Sequence, residues 1–91
     1  MASSTTPGGT IRYWAAAKAE AGTPEEPRRA TTLAEALAQV RALRTDRPRF
    51  ARLLGHRSFL VGGHPVGGRG HSAVPLAEGG TVEVLPPFAG G

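Results

Sequence analysis

The residues with the clearest chemical potential stand at the end of the chain, which reads LPPFAGG. Gly90 and Gly91 carry no side chains, so the terminal carbonyl carbon is unhindered. A side chain at either position would collide with the walls of a narrow channel. It would also crowd that carbon when it becomes tetrahedral. We therefore interpret Gly91 as an acyl group offered to a partner, and Phe88, Ala89 and Gly90 as the segment that threads into it.

Pro86 and Pro87 are predicted to form the base of this tail. Proline has no backbone N–H, so the pair ends a sheet directly after the strand-like TVEVL. A Pro-Pro pair favours the polyproline II conformation, and the stretch from Pro86 to Gly91 would span roughly 20 Å. The sequence thus predicts an extended tail over residues 86–91.

The other residue types that could do chemistry form no recognisable site. His56, His64 and His71 match no zinc spacing, so we predict loop residues and no metal site. GGHPVGGRG lacks the Lys-Ser or Lys-Thr of a phosphate-binding loop. The absence of cysteine excludes disulfides, thiolate catalysis and cysteine-ligated metals. The acidic residues fall on predicted surfaces and turns, so we expect no autonomous active site.

The positive charge is concentrated in one segment. The chain has a net charge of +4, and residues 41–57 hold six arginines against one acid, Asp46. Such a segment fits either a solvated helical face or a footprint for nucleic acid or an acidic partner. The few aromatic residues are not interleaved with these arginines. We therefore favour the solvated face, and nucleic-acid binding is not expected.

The 91 residues are enough for one small domain. No stretch approaches the length of an apolar membrane span, and MASSTTPGG lacks the basic flank and apolar run of a signal peptide. We predict a cytoplasmic protein with a flexible lead over residues 1–9, a domain over residues 10–85 and the tail.

The first half of the domain is predicted to hold two strands and a helix. TIRYWAAA alternates in a strand-like pattern, and EEPRRAT is a weak strand that Pro27 confines to a sheet edge. TTLAEALAQVRALR is a helix capped by Thr32, with Glu35 completing a capping box. We expect Leu43 to widen its apolar face, whose main stripe comprises Leu33, Leu37, Val40 and Arg44.

The second half is predicted to hold a short helix and more strands. TDRPRFARLLG begins with Asp46 as the expected cap, and its inward side chains are Phe50, Leu53 and Leu54. HRSFLVGGHPV is a hairpin that turns at Gly62-Gly63, and TVEVL is the last strand. Strands at both ends and helices between them favour an α+β fold, a mixed sheet of four to five strands covered by one main helix.

These features together resemble the MoaD and ThiS family of ubiquitin-like sulfur carriers, which have the β-grasp fold. The similarity covers residues 10 to 91 and depends on IRYWAAAKAEAG, TTLAEALAQV and above all VPLAEGGTVEVLPPFAGG. The double proline before the diglycine is most similar to the MoaD branch, the small subunit of molybdopterin synthase.

The resemblance implies a carrier without catalytic side chains of its own. An adenylating enzyme of the MoeB and ThiF type would use ATP to activate the Gly91 carboxylate, which is ionised at neutral pH. A persulfide donor would then convert it to a thiocarboxylate. A MoaE-like large subunit would use that sulfur to build molybdopterin. No bound cofactor is implied.

Two other interpretations of the tail stay open from the residues. The chain could carry sulfur for thiamine, cysteine or secondary-metabolite biosynthesis. It could also be a ubiquitin-like modifier, whose diglycine forms an isopeptide bond with a lysine.

Overall fold

The computed structural model describes residues 6–86. The helices and strands along the chain are β1 (Gly8–Tyr13), α1 (Ala15–Ala21), β2 (Glu25–Arg29), α2 (Leu33–Leu43), α3 (Pro48–Leu54), β3 (Ser58–Val61), β4 (His64–Pro65), a 3-10 turn (His71–Ala73) and β5 (Thr81–Leu85).

The strands form one mixed sheet in the order β2-β1-β5-β3-β4. β1 and β5 are parallel, whereas the other neighbouring pairs are antiparallel. The predicted α+β class is confirmed, and Pro27 lies on the outermost strand as expected, because its missing donor faces away from the ladder. The last strand of the sequence, β5, therefore occupies the centre of the sheet.

The hydrophobic core lies between the helices and one face of the sheet. Val82 and Val84 point into it from β5, as their alternation predicts. The helix α2 supplies the predicted stripe, with Leu33, Leu37 and Val40 almost fully buried. On the opposite face of the sheet, called the open face below, Arg12 is exposed and Glu83 and Leu85 are half-buried.

The start of α2 is fixed by reciprocal capping. The hydroxyl of Thr32 accepts a hydrogen bond from the Glu35 N–H at 3.2 Å, which confirms Thr32 as the cap. The Glu35 carboxylate closes the motif on Thr31 instead, since it accepts from that residue's N–H at 2.7 Å and its hydroxyl at 2.9 Å. These two bonds hold the pKa of Glu35 below its usual range.

The predicted strand TIRYWAAA is wrong in its second half, because β1 ends at Tyr13 and a helix begins at Ala15. Alanine has the highest helix propensity, and residues 15–21 are rich in it. Ala17 and Ala21 pack into the core, while Gly22 ends the helix with φ +82°. The alanines match an alternating strand pattern as well as a helical one, which explains the wrong prediction.

Two side chains also differ from their predicted positions. Leu43 is 69% exposed and does not widen the apolar face, and the next buried side chain is that of Arg44, the residue that follows α2. Asp46 does not cap α3: the residue before that helix is Arg47, and no side chain makes a capping bond there. Of the inward side chains predicted for α3, Phe50 and Leu54 are buried and Leu53 is half-buried.

The sheet begins earlier than predicted, at Gly8. Gly9 lies against the loop before β5, where a Cβ atom would come 2.2 Å from the Gly80 carbonyl oxygen and 2.7 Å from Arg28 Nη2. No real Cβ tolerates such contacts, so a glycine is required at this crossing of two backbones.

Candidate functional site

The candidate site is the place where the chain leaves the sheet after β5. Leu85 pairs with Ser58 of β3, and the carbonyl of Val84 accepts from the Trp14 N–H at 3.0 Å. Pro86 follows at once and has no N–H to continue the ladder. The chain thus leaves the sheet at the end of its central strand, between the end of β1 and the start of β3. We call this end of the sheet the exit edge.

The predicted reactive residues lie beyond this point. Pro86 is half-buried at the sheet edge. Pro87, Phe88, Ala89, Gly90 and Gly91 lie outside the described residues 6–86. Their predicted roles as tail base, threading segment and acyl group stay predictions.

A tryptophan stands beside the exit on the open face of the sheet. Trp14 is 41% exposed, and its indole N–H donates to the Glu83 carboxylate on β5 at 3.0 Å. The guanidinium of Arg12 lies 5.1 Å from the ring centroid and 3.6 Å from the Glu25 carboxylate. Two charged neighbours therefore hold the exposed ring beside β5.

This tryptophan is a candidate contact residue that sequence reasoning missed. The sequence pattern places Trp14 only in the strand TIRYWAAA. The available signal is its position on the outward side of the alternation, where a soluble sheet normally places polar residues. Half-buried Leu60 and Leu85 lie on the same outward face, since they pair with Glu83 and Ser58 respectively.

A buried polar cluster lies under the same edge. The Tyr13 hydroxyl donates to the Glu26 carboxylate, which also pairs with Arg44 Nη2 at 2.8 Å. The Arg44 guanidinium packs 5.6 Å from the Tyr13 ring and 5.3 Å from the Phe50 ring. Burial, followed by the Glu26 hydrogen bond, raises the pKa of Tyr13 far above its usual value. The cluster fixes the end of β1 from below.

The arginine-rich segment is largely engaged with the protein itself. Arg44 Nε and Arg47 Nη1 donate to the last carbonyls of α1, on Ala21 at 3.2 Å and Glu20 at 2.8 Å. Arg57 pairs with the Glu20 carboxylate. Cations at a helix C-terminus satisfy unpaired carbonyls and oppose its partial negative charge. These arginines hold α1 in place, which the sequence did not reveal.

Of the remaining arginines of the segment, one contacts the protein and two do not. Arg41 Nε donates to the Ala51 carbonyl of α3 at 3.2 Å. Arg49 and Arg52 make neither a hydrogen bond nor an ion pair within residues 6–86. The interpretation as a wholly solvated face is therefore wrong for Arg44 and Arg57, which are nearly buried.

Two negative results apply to the described part of the chain. Among residues 6–86, no three histidine or acidic side chains come together in a way that could hold a metal ion. In the same residues, every helix is too short or too polar to cross a bilayer.

Comparison with known proteins gives matches only among solved structures. No family model and no curated protein matches the sequence. The small archaeal modifier protein 1 of Methanosarcina acetivorans is 18% identical with a TM-score of 0.75, over 93% of this chain and 97% of that one. The HVO 2177 protein of Haloferax volcanii is 25% identical with a TM-score of 0.77, over 100% and 92%.

A third structure belongs to an assembly. A chain from the complex of subunits 1 and 2 of the molybdopterin-converting factor of Helicobacter pylori is 21% identical with a TM-score of 0.60. The match covers 92% of this chain and 99% of that one. The chain has the β-grasp fold of the MoaD-like proteins.

The resemblance inferred from VPLAEGGTVEVLPPFAGG is thus confirmed at the level of the fold. In this β-grasp protein the central strand leads straight to Pro86, with Trp14 beside it.

Proposed function

We propose that this chain is a sulfur carrier whose Gly91 carboxylate is adenylated and then converted to a thiocarboxylate. The carrying observation is that Pro86 directly follows the central strand. A tail over residues 86–91 would therefore begin at the end of that strand, between β1 and β3. A tail rooted there can enter a partner's channel while the sheet edge rests on the channel mouth. The pathway that we propose is molybdopterin biosynthesis in the cytoplasm.

The chemistry would be supplied by partners in two steps. An adenylating enzyme joins the Gly91 carboxylate to AMP from ATP and releases pyrophosphate, which creates a good leaving group. The terminal sulfur of a persulfide then attacks the carbonyl carbon, and AMP departs. A second thiol cleaves the resulting S–S bond and leaves the thiocarboxylate on the carrier. The side chains of this protein need only bind and orient.

The partner that accepts the sulfur is proposed to be a molybdopterin synthase large subunit. The matched Helicobacter pylori chain comes from a complex of converting-factor subunits 1 and 2, which supports a small-subunit role for this chain. The fixed Trp14 ring and half-buried Leu60 and Leu85 offer an apolar surface next to Pro86. Aromatic anchors of this kind carry much of the binding energy at protein interfaces.

A ubiquitin-like modifier is the second candidate. It is favoured by the similarity to a small archaeal modifier protein, over nearly the full length of both chains. In that case the activated Gly91 would form an isopeptide bond with a lysine of another protein. The two candidates share the activation step and differ in the group that attacks the acyl adenylate. A carrier in another sulfur pathway would differ only in its acceptor.

Intact-mass spectrometry tests the leading proposal directly. The full chain is incubated with ATP, sulfide and its cognate adenylating enzyme. We expect a mass gain equal to the replacement of one oxygen by one sulfur. An unchanged mass with an enzyme that forms the acyl adenylate would reject the sulfur-carrier function. Lysine-containing peptides that carry a branched Ala-Gly-Gly remnant after chymotryptic cleavage at Phe88 would identify the modifier instead.

Tail variants separate chemistry from stability. Deletion of Gly91, or Gly90→Val, should abolish sulfur transfer and leave the melting temperature within about 2 °C. Gly68→Val is the matched control, because it makes the same change at an exposed loop glycine with no atom within 4 Å. It should retain transfer. A large loss of melting temperature in the tail variants would show that the tail belongs to the packed structure.

A further inference from the structure

The only lysine of the chain lies next to the exit edge. Among the eleven lysine and arginine side chains, Lys18 alone is a lysine. It belongs to α1, and its backbone N–H donates to the Trp14 carbonyl at 3.4 Å. The Trp14 N–H in turn donates to the Val84 carbonyl of β5 at 3.0 Å. Two hydrogen bonds therefore connect the backbone of Lys18 to the strand that leads to Pro86.

The Lys18 amine is available to react. Lys18 is exposed, and within residues 6–86 its amine forms neither a hydrogen bond nor an ion pair. Glu20, the acid nearest to it in the sequence, pairs with Arg57 instead. An arginine cannot replace it as an acyl acceptor, because the guanidinium stays protonated. Lys18 thus carries the only nucleophilic side-chain amine of the protein.

An open groove lies beside this amine on the outer side of α1, opposite buried Ala17 and Ala21. The groove has a volume of about 330 Å³. Apart from Lys18, its lining consists of small or short side chains: Ala15, Ala19, Gly22, Thr23 and Pro24. Such a lining leaves room for an extended backbone with little side-chain bulk. The last three residues of the chain, Ala-Gly-Gly, have this composition.

The length of chain beyond Pro86 is sufficient to bring Gly91 to Lys18 in the same molecule. Pro86 is the last described residue, and the five residues that follow it can span at most roughly 18 Å. Lys18 contributes a flexible four-carbon stem from the other side. A short tether gives an effective concentration in the millimolar range, which exceeds that of a second copy in a micromolar solution. Reaction within one chain is therefore favoured over reaction between two.

We propose that Lys18 is an acyl acceptor for Gly91 of the same chain, so that an activated terminus that receives no sulfur closes an isopeptide ring. This inference rests on the activation step of the proposed function. The neutral Lys18 amine attacks the Gly91 carbonyl carbon, the bond from that carbon to AMP breaks, AMP leaves, and the surplus proton passes to solvent. The ring has no terminal carboxylate, so the reaction withdraws the carrier from sulfur transfer.

The test uses the full chain as a C-terminal thioester, released from an intein fusion by a small thiol. The thiol takes the place of AMP as the leaving group, so no adenylating enzyme is needed. We expect a monomeric product one water lighter than the free acid, formed at a rate independent of protein concentration. Fragmentation should place the new amide at Lys18 and not at the α-amino group. Hydrolysis alone, or a product of twice the mass, would overturn the proposal.

Two variants test the position of the amine. Lys18→Arg keeps the charge and should abolish the product. The double variant Lys18→Arg with Arg29→Lys is the matched control, since it keeps one exposed lysine but places it beside Gly8, at the far end of β1. It should close the ring at least about tenfold more slowly, because a tether that barely spans two sites loses its effective concentration. A rate equal to that of the parent chain would contradict a role for the groove beside α1.

A second assay, with ATP, the adenylating enzyme and no sulfide, separates this inference from the proposed function. Release of pyrophosphate followed by loss of one water from the chain supports both. Ring closure by the thioester without release of pyrophosphate in this assay would reject enzymatic activation and keep Lys18 as an acceptor. An inert thioester, together with replacement of oxygen by sulfur once sulfide is added, would reject the ring and keep the sulfur carrier.

Discussion

The two ends of β1 each bury an arginine, and they do so by different means. Arg28 lies beside the first residues of the strand and is 4% exposed, while Arg44 lies under its last residues and is 7% exposed. The Arg44 end is also the end at which β5 reaches Pro86, since Trp14 bonds to Val84 there. The comparison shows two ways in which one small fold stabilises a buried cation.

Arg28 is held by backbone carbonyls. Its Nη atoms donate to four of them at 2.8 to 3.4 Å, on Pro7, Ala30, Ala77 and Gly80. Within residues 6–86 it has no carboxylate partner in ion-pair distance. Burial lowers its pKa from the usual value, and Glu78 opposes that shift. The guanidinium thus joins an edge strand to the loop before β5 through hydrogen bonds to carbonyl groups.

Arg44 is held by a carboxylate, a carbonyl and two rings. If Arg44 is lost, Glu26 keeps the Tyr13 hydroxyl as its remaining partner and is left as a buried charge. If Arg28 is lost, the carbonyls of Pro7, Gly80 and Ala77 still accept from backbone N–H groups. Equal burial therefore does not mean equal cost, because the cost depends on what stays behind unpaired.

The largest effect is expected from Arg44→Met. The substitution keeps an apolar stem but leaves the Glu26 carboxylate without a cation, so the free energy of unfolding should fall by about 3–5 kcal/mol. Urea denaturation measures it. The double variant Arg44→Met with Glu26→Gln should recover part of the loss. A double variant less stable than the single one would contradict this account of Glu26.

Gly9→Ala tests the opposite end of β1 without touching a charge. The new Cβ would meet the Gly80 carbonyl and the Arg28 guanidinium, and we expect a loss of about 1–3 kcal/mol. Gly8→Ala is the control, since its nearest neighbour would be an ordinary contact at 3.7 Å. It should change stability by less than about 0.5 kcal/mol. Similar losses in both variants would mean that the crossing is not tight.

Arg28→Met makes the same substitution as at Arg44 in the other environment. We expect a loss of about 1–2 kcal/mol, because most of the carbonyls keep a backbone donor. The two methionine variants can be compared in one set of urea curves. A loss at Arg28 equal to or above that at Arg44 would break the distinction drawn between carbonyl and carboxylate partners.

Tyr13→Phe should have the smallest effect at neutral pH, about 0.5–1.5 kcal/mol, since Glu26 keeps its Arg44 partner. The folded pKa of Tyr13 is raised, so its contribution is complete below the unfolded pKa of about 10 and is lost as pH rises above that value. Unfolding at alkaline pH should become less pH-dependent in the variant.

Absorbance of the phenolate checks that sign, because Tyr13 is the single tyrosine of the chain. In the folded protein no phenolate signal should appear near pH 10, and it should rise together with unfolding. A normal titration of the folded protein would show that Tyr13 is open to solvent.

The sequence predicted the architecture well where local patterns and long-range packing agree. The capped stripe of α2, the edge position of Pro27 and the alternation of β5 follow from periodicity and backbone chemistry alone. The helix α1 could not be predicted in this way, because alanine fits both the two-residue period of a strand and the 3.6-residue period of a helix. Its start is decided by where Tyr13 leaves the sheet.

The surroundings of the exit were harder to predict. Charged residues are normally assigned to the surface, yet Arg28 and Arg44 are buried by partners distant in sequence. Trp14 is held by a hydrogen bond to Glu83, which lies 69 residues away in the sequence. The reactive tail is predicted from LPPFAGG alone and stays a prediction. The residues proposed to guide a partner to it depend on tertiary contacts that the sequence does not reveal.

The central place of β5 has a consequence for synthesis. Its neighbours β1 and β3 are made long before it, and each keeps an open edge until residues 81–85 arrive. Pairing of residues so far apart in the chain slows folding. A nascent chain therefore cannot complete its sheet before residues 81–85 have been synthesised, and a chain interrupted before that point would expose two unpaired strand edges to chaperones and proteases.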